Sequence, residues 1–474
     1  MAPLPRARPR SEARRRVLVS EPLVFPPVRR PECSVLMVAY GAWPWARDAL
    51  EALLASTPPV IEVIVVDNAS PDGTADRLEA EVEGVQLLRN ARNEGFPAAT
   101  NQGAVRARAP VLCLLNSDAL VTPGWYPTMR RRLDDPRVGA VVPMFLDLQG
   151  RVLEAGATLG ADGWTVPVGR GLDVADPSVS FPRDVDYGSA ACMLVRTDAF
   201  RELGGLSEAY GPGYYEDVEF CLELRSRGLR TVYEPGARVE HAEGASSDPE
   251  HAVSLAARSR VTFVSRRAGD LEGRPRLEQL DVYPHRVVHA RDRITPIRVL
   301  VLADRWLVSD GLGFRLVSAL STRSHDVRVT VAASRVDPDE MERLLALGVE
   351  VIPDAEAASL EARPSHATVV VVEGPAAAAR YGEAIARTQP QAAVVYDLTG
   401  PCGPDHVAAR RAEAGMLAAS QVVLAPSEGH ARFVRQISPR AEIVVVPPGT
   451  PDLDRALASA LALTGVALPD DAFA

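Results

Sequence analysis

From Cys33 onward, short unbroken apolar runs alternate with stretches of helical spacing. Ser34–Tyr40 (SVLMVAY), Val60–Val66, Leu87–Asn90, Val111–Leu115 and Val138–Val142 read as buried strands. Trp45–Leu54 is an amphipathic helix closed by Pro58 and Pro59. LDLQGRVLEAGATLG (residues 146–160) has the pattern of a hairpin, and Trp164–Phe181 that of a loop. Val218, Cys221, Leu222 and Leu224 mark a helix opened by Glu216 and Asp217, after Gly204 and Gly205 break the helix before it. Thr231–Tyr233 is a further strand and Ala252–Val264 a further helix.

Beyond a charged, proline-bearing segment the alternation resumes. Arg298–Leu302, Val327–Val331, Val369–Val372, Ala393–Tyr396, Val422–Ala425 and Ile443–Val446 are six aliphatic strands separated by helical patterns. Strands alternating with helices predict a doubly wound parallel sheet. The expected organisation is a basic disordered tail (1–31), a first α/β domain (32–267), a linker (268–295), a second Rossmann-like α/β domain (296–450) and a terminal tail or helix (451–474).

At 474 residues and 47% hydrophobic content the chain supports two or three cores. A net charge of -10, with a pI near 5.5, argues against nucleic acid as a partner. The five cysteines are scattered without metal-type spacing and read as reduced core thiols of a cytoplasmic protein. No apolar run is long enough to span a bilayer. The first 31 residues hold eight arginines and only two glutamates, and lack the apolar core of a signal peptide. Their plain reading is a disordered tail; the sharper one is peripheral contact with anionic lipid at the inner membrane face.

Candidate chemistry sits at the ends of the predicted strands. Asp67 and Asn68 follow the second strand and lead into a turn, which is where open α/β sheets bind nucleotides, although strand-end aspartates are common. Residues 93–103 (NEGFPAATNQG) form a loop entering a helix with small side chains, so that backbone N–H groups can approach phosphate. Asn116, Ser117 and Asp118 follow the apolar strand Val111–Leu115. Glu216 and Asp217 come after a loop holding Tyr210, Tyr214 and Tyr215; as carboxylates in a first helical turn they are also ordinary helix starters. His241 lies beyond the next strand, and a lone histidine is more often structural than a ligand.

The ordered run Gly188–Phe200, Gly204–Glu208, the tyrosine loop, Glu216–Asp217 and then His241 resembles the acceptor half of family 2 glycosyltransferases. These are inverting enzymes of GT-A fold, and the likeness is strongest to the bacterial rhamnosyltransferase-like group. The resemblance implies a GT-A nucleotide-diphospho-sugar transferase fold followed by the second Rossmann-like domain. It implies a donor site at Tyr40, Asp67, Asn68, Asn93, Gly95, Phe96, Asn101, Asn116, Ser117 and Asp118, with Gly103 completing the loop pattern. It places the acceptor at Gly188, Tyr214, Tyr215 and Glu216. Asp118 and His241 are then ligands for Mg²⁺ or Mn²⁺, hard ions suited to oxygen donors. Asn116 stands where the family's metal motif often has a first aspartate, a form common in the rhamnosyltransferase-like group.

The expected reaction joins a nucleotide-sugar donor, dTDP-rhamnose or a UDP-sugar, to a hydroxyl of a saccharide or lipid-linked acceptor in cell-surface polysaccharide synthesis. An acceptor hydroxyl must lose its proton as it attacks, so a general base is required. Asp217 is assigned that role, ionised at neutral pH near its helix start, with Glu216 orienting the acceptor and the two roles exchangeable. Lysines are few, so arginines meet the phosphates. Two alternatives stand beside this reading. A nucleotidyltransferase would want a glycine-rich basic signature after the first strand, which VAYGAWPWARDAL does not supply. A non-catalytic sugar- or partner-binding protein is consistent with Ala39 and Gly41 in place of the family's usual Thr and Asn. The second domain resembles the N-terminal half of a GT-B (family 4) glycosyltransferase; its Gly311–Gly313 loop is a weak signal. It reads as an acceptor-binding, scaffolding or partner-docking unit. Oligomeric state and metal identity are not legible.

Overall fold

The computed structural model describes residues 21–58, 60–243, 249–276, 288, 290–306, 317, 320, 327–361, 363, 366–398, 407–446 and 462. The chain divides into two compact units, residues 1–179 with 183–279, and residues 180–182 with 280–474.

The first unit is built on one ten-stranded mixed sheet. In chain order its elements are β1 (Leu23–Val24), β2 (Cys33–Ala39), α1 (Trp43–Ser56), β3 (Ile61–Asp67), α2 (Thr74–Glu81), β4 (Val82–Glu83), β5 (Gln86–Arg89), α3 (Phe96–Ala104), β6 (Val111–Asn116) and β7 (Ala119–Val121). There follow α4 (Trp125–Arg130), β8 (Val138–Leu146), β9 (Val152–Glu154), β10 (Ala157–Leu159), β11 (Thr165–Pro167), β12 (Arg183–Asp184), β13 (Cys192–Arg196), α5 (Thr197–Glu202), α6 (Glu216–Ser226), β14 (Arg230–His241), α7 (Pro249–Arg266) and α8 (Ala268–Leu271). The central path is β12-β14-β8-β13-β6-β2-β3-β5. β2, β3, β5 and β6 run parallel, whereas β13 is antiparallel to both β6 and β8. The parallel strands are buried on both faces and therefore read as continuous apolar runs. One core packs under α1 and α4, and the other under α3, α5 and α6.

Several expectations change. The strand expected over Thr231–Tyr233 continues through a register shift between Glu234 and Arg238 to His241, so the histidine belongs to the strand. β8 runs on to Leu146 and turns into β9, giving the hairpin, and a second hairpin pairs β10 with β11 inside the expected loop Trp164–Phe181. The basic tail is not structureless throughout: Leu23 and Phe25 are buried and β1 pairs with β4. Residues 1–20 lie outside the described residues, as do Gly244–Ser247, Gly311–Gly313, Cys402 and most of 451–474. Within the expected linker, Ala268–Leu271 is helical and Arg291 and Asp292 are buried.

The second unit holds a seven-stranded, all-parallel sheet in the order β17-β16-β15-β18-β19-β20-β21. Its strands are β15 (Ile297–Trp306), β16 (Val327–Val336), β17 (Glu350–Ile352), β18 (Val369–Glu373), β19 (Ala393–Asp397), β20 (Val422–Ala425) and β21 (Glu442–Val445). Six are the expected ones; the three-residue β17 is too short to stand out as an apolar run. Arg291, Asp292, Glu350 and Arg363 form a buried ionic network at the amino end of this sheet.

Candidate active site

The candidate site of the first unit follows from sheet register. Ala39 pairs with Asp67 and Val38 with Asn116, so the carboxyl ends of β3, β2 and β6 share one rim. One strand separates Asp67 from Asn116, about 10 Å at ordinary strand spacing. Antiparallel β13 arrives at the same rim: the Asn116 N–H donates to the Ala191 carbonyl at 2.9 Å. One residue earlier, the Ala190 N–H donates to Asp217 Oδ2 at 3.1 Å. β14 pairs His241 with Ala119, which brings His241 Nε2 to 3.2 Å from Asp118 Oδ1. Asp118, Asp217 and His241 are thereby gathered from three elements around the end of β6.

Left-handed backbone concentrates on this rim. Ala42 and Ala69 have φ of 56° and 62°, and the consecutive residues Tyr214 and Tyr215 have 72° and 75°. Side chains other than glycine rarely occupy this region, at a cost of about 1–3 kcal/mol each, and such strain collects at functional sites. The tyrosine loop is held from behind by α7: Ser259 Oγ donates to the Gly213 carbonyl at 2.9 Å, and Phe263 packs on the Tyr215 ring. Tyr215 is buried, its hydroxyl donating to the Gly163 carbonyl at 2.7 Å, while Tyr214 is 40% exposed.

The donor-side residues separate into two groups. Asp67 is buried; Oδ2 accepts from the Ser70 N–H at 3.2 Å, and Oδ1 has no partner among the described residues. Tyr40 is exposed at the end of β2, and Ser117 is buried beside Asp118. Asn68, by contrast, is spent on protein. Its amide donates to Asn93 Oδ1 and the Gly95 carbonyl, and its oxygen accepts from Asn90 and the Glu94 N–H. Asn101 is clamped in the same way, donating to the Leu206 carbonyl at 2.9 Å and accepting from the Leu206 N–H at 2.8 Å. The Asn68 and Asn101 side chains therefore brace the loop and the Gly204–Gly205 turn. Gly95, at φ 86°, lies against Pro212, and the Phe96 N–H donates to the Pro212 carbonyl at 2.7 Å, tying this loop to the tyrosine loop. Gly188 also changes role. It is buried with its Cα against Val142, where a Cβ would come within 2.4 Å, so it is a packing residue rather than a surface for acceptor.

The electrostatics correct a second expectation. Burial raises the Asp217 carboxyl, and the hydrogen bonds from Ala190 and Val218 only partly offset it. Burial followed by the charge of Asp217 lifts Glu216 well above the carboxylate range, and its Oε2 has no partner among the described residues. The helix start thus does not outweigh burial, and both carboxyls lie above their ordinary values. Burial pushes His241 down, but Asp118 more than reverses it and its net direction is up.

Sequence reasoning passed over three groups. Glu154, the last residue of β9, is 9% exposed, accepts from the Ser189 N–H at 3.1 Å and is raised to about 7, by burial first and then by Asp217. Arg170 makes a two-pronged ion pair with Glu243, both contacts at 3.0 Å. A glutamate inside the apolar hairpin VLEAGATL was a usable signal; the Arg170–Glu243 pair, 73 residues apart, had none. Lysine is not merely scarce but absent, so every cationic contact of this kind is a guanidinium. Asp118 and His241 bring one carboxylate and one imidazole to 3.2 Å from each other. That donor set fits a divalent ion that also takes phosphate oxygens and water, since no third His, Cys, Asp or Glu joins them among the described residues.

The family model described as "Glycosyl transferase family 2" matches residues 34–204. The O-antigen biosynthesis protein RfbC of Myxococcus xanthus is 30% identical over 46% of this chain and 18% of its own length. An N-acetylglucosaminyl-diphospho-decaprenol L-rhamnosyltransferase of Mycobacterium tuberculosis is 28% identical over 48% of this chain and 82% of its own. Among solved structures, GalNAc-T7 with UDP, GalNAc and Mn²⁺ is 17% identical with a TM-score of 0.40, covering 50% of this chain and 48% of that one. The chain thus spans less than a fifth of the Myxococcus protein's length. Residues 34–204, which run from β2 through β13 and contain Asp67, Asp118 and Ala190, match the glycosyl transferase family 2 model.

Proposed function

We propose that the first unit is an inverting glycosyltransferase that moves a sugar from a nucleotide-diphosphate donor to a hydroxyl of a saccharide or lipid-linked acceptor. The observation that carries this reading is the coupling of Asp217 to the β6 end, through Ala190 and Ala191, beside the Asp118–His241 pair. A base and a phosphate-binding edge thereby lie on one rim.

The nucleoside lies toward Asp67, whose open Oδ1 accepts an N–H or O–H that no described residue provides. The Asn93–Phe96 loop, braced by Asn68, runs along the donor. Asp118 and His241 would hold Mg²⁺ or Mn²⁺. When bound, the ion supplies positive charge that makes the nucleoside diphosphate a better leaving group. Asp217 accepts the proton of the attacking acceptor hydroxyl on a carboxylate oxygen, and its raised affinity for protons makes it a stronger base than a solvated aspartate. Glu216 orients the acceptor, and Tyr214 and Tyr215 limit water at the reacting centre. Attack from the face opposite the leaving group inverts the anomeric carbon.

The name of the mycobacterial relative favours a rhamnosyl donor such as dTDP-rhamnose and a polyprenyl-diphosphate-linked acceptor, with UDP-sugars as the other donor class. No helix among the described residues is long and apolar enough to cross a membrane, and a lipid-linked acceptor would be met from the cytoplasmic face through the basic residues of the first segment. The second unit, proposed as a half domain of GT-B type, serves acceptor binding, scaffolding or partner docking. Incubation of the full chain with a panel of sugar nucleotides and Mn²⁺ or Mg²⁺ tests the assignment. Release of nucleoside diphosphate supports it; pyrophosphate exchange or silence with every donor removes it.

A further inference from the structure

Glu154 and Asp217 hang from adjacent peptide groups. The Ser189 N–H donates to Glu154 Oε1 at 3.1 Å and the Ala190 N–H donates to Asp217 Oδ2 at 3.1 Å. The segment carrying both N–H groups has few other ways to move. Gly188 is pressed on Val142, the Ala191 N–H is held by Ser189 Oγ at 3.1 Å, and the Ala191 carbonyl is held by Asn116. Glu154 itself comes from a different element, the β9 end of the hairpin, and it is nine-tenths buried. A buried carboxylate with one backbone partner at the edge of a site needs a reason to be there, because an apolar residue would pack at lower cost.

We propose that Glu154 is a positioning residue for Asp217, fixing the Gly188–Ser189 peptide so that the next N–H along the chain, that of Ala190, meets the Asp217 carboxylate. The proposal rests on the reading of Asp217 as the base that accepts the acceptor proton. Around Glu154 stand Asp217 on α6, Arg170 in the loop after β11, Tyr187 ahead of β13, Tyr233 on β14, and His241 and Glu243 at and beyond the end of β14. Burial, the charge of Asp217 and the charge of Glu243 all favour the protonated form of Glu154, against Arg170 and the Ser189 N–H. A protonated Glu154 still accepts from Ser189 and places no second negative charge beside the base.

The Ala190 hydrogen bond lowers the Asp217 pKa, so losing it has a signature that simple loss of packing does not share. The test is a carboxyl ¹³C titration of full-length protein labelled at aspartate, with the Asp217 signal assigned by its absence in Asp217→Asn. Glu154→Met keeps the volume but removes the acceptor, and Glu154→Gln keeps an acceptor oxygen without charge. The expected result is an Asp217 midpoint raised by about half a pH unit or more in Glu154→Met, with Glu154→Gln restoring the wild-type value to within about 0.2 unit. An unmoved midpoint in Glu154→Met, or an equal rise in both variants, overturns the proposal. Glu154→Ala replaces Glu154→Met if the latter fails to melt cooperatively. The titration needs no turnover. Wild-type protein that releases no nucleoside diphosphate from any donor therefore sinks the functional reading, while the midpoints still decide the role of Glu154.

Discussion

Asp217 receives N–H groups from Ala190 and Val218, and burial still raises it above the ordinary aspartate value of 3.8. A base works in its ionised form, so the acid limb of the transfer rate is expected above that value, with the rate falling as pH drops through the limb. A pH profile of kcat/KM checks this, and a limb at or below the ordinary aspartate value speaks against the assignment. Glu154 yields a separate expectation in stability. Folded, it keeps its proton up to about pH 7, whereas unfolded it releases it above 4.5. The folded state thus binds the extra proton between those values, and stability falls as pH rises through that window. Glu154→Gln does not titrate, so its stability relative to wild type is expected to rise between pH 5 and pH 8, by on the order of 2–3 kcal/mol, measured by urea unfolding at the two pH values. At this scale the strand-end residues Asp67 and Asp118 were suggested by residue type and position, whereas His241 was singled out only through the family resemblance. The duties of Asn68 and Asn101 were not legible, because an amide's role depends on which backbone group it meets, and Leu206 is 105 residues from Asn101.

Two turns decide how the elements around the rim are held. Gly205, at φ 82°, leaves no room for a Cβ, which would fall 2.2 Å from Asn101 Oδ1. Gly205→Ala is expected to break the Asn101–Leu206 clamp and to destabilise the first unit by about 2 kcal/mol or more, read by denaturant midpoint; a shift within noise contradicts the clamp. Asp186, just before β13, accepts from Arg274 at 2.6 and 3.0 Å, from Arg225 at 3.1 Å and from Thr158 at 2.8 Å. Burial opposes its ionisation, but the contacts from Arg274, Arg225 and Thr158 together outweigh burial and lower the carboxyl from its usual value. Its contribution is therefore present above the unfolded value of 3.8 and lost as pH falls through the lower folded value. Asp186→Ala is expected to cost about 3–5 kcal/mol near neutrality, because it strands two guanidinium groups, one of them buried. The parallel strands were readable as apolar runs because both faces are covered. β14 was read short because Glu234–Pro235–Gly236 interrupts its pattern, and the polar end that carries His241 looks like loop when neighbours are unknown.

At the scale of the whole molecule, the two sheets answer different questions. The first gathers a rim of acids and one histidine, together with a buried acceptor, Asp67 Oδ1, that has no partner among the described residues. The second is all parallel and carries an ionic network in which buried Glu350 is bound by Arg291 and Arg363. Division into two α/β units was visible in the strand rhythm, whereas the inclusion of residues 180–182 with the second unit was not, since three residues carry no periodicity. If Asp118 and His241 hold a divalent ion, chelation with EDTA is expected to stop donor turnover and Mn²⁺ or Mg²⁺ to restore it, with His241→Ala requiring more metal for half-maximal rate. Full turnover in EDTA contradicts that role. The measurement that bears most directly on the whole account is nucleoside diphosphate release from a sugar-nucleotide donor, with acceptor and Mn²⁺, by wild type and Asp217→Asn at matched thermal stability. The account predicts release by wild type and a loss of about 10²- to 10⁴-fold in the variant; equal rates in the two proteins would contradict it.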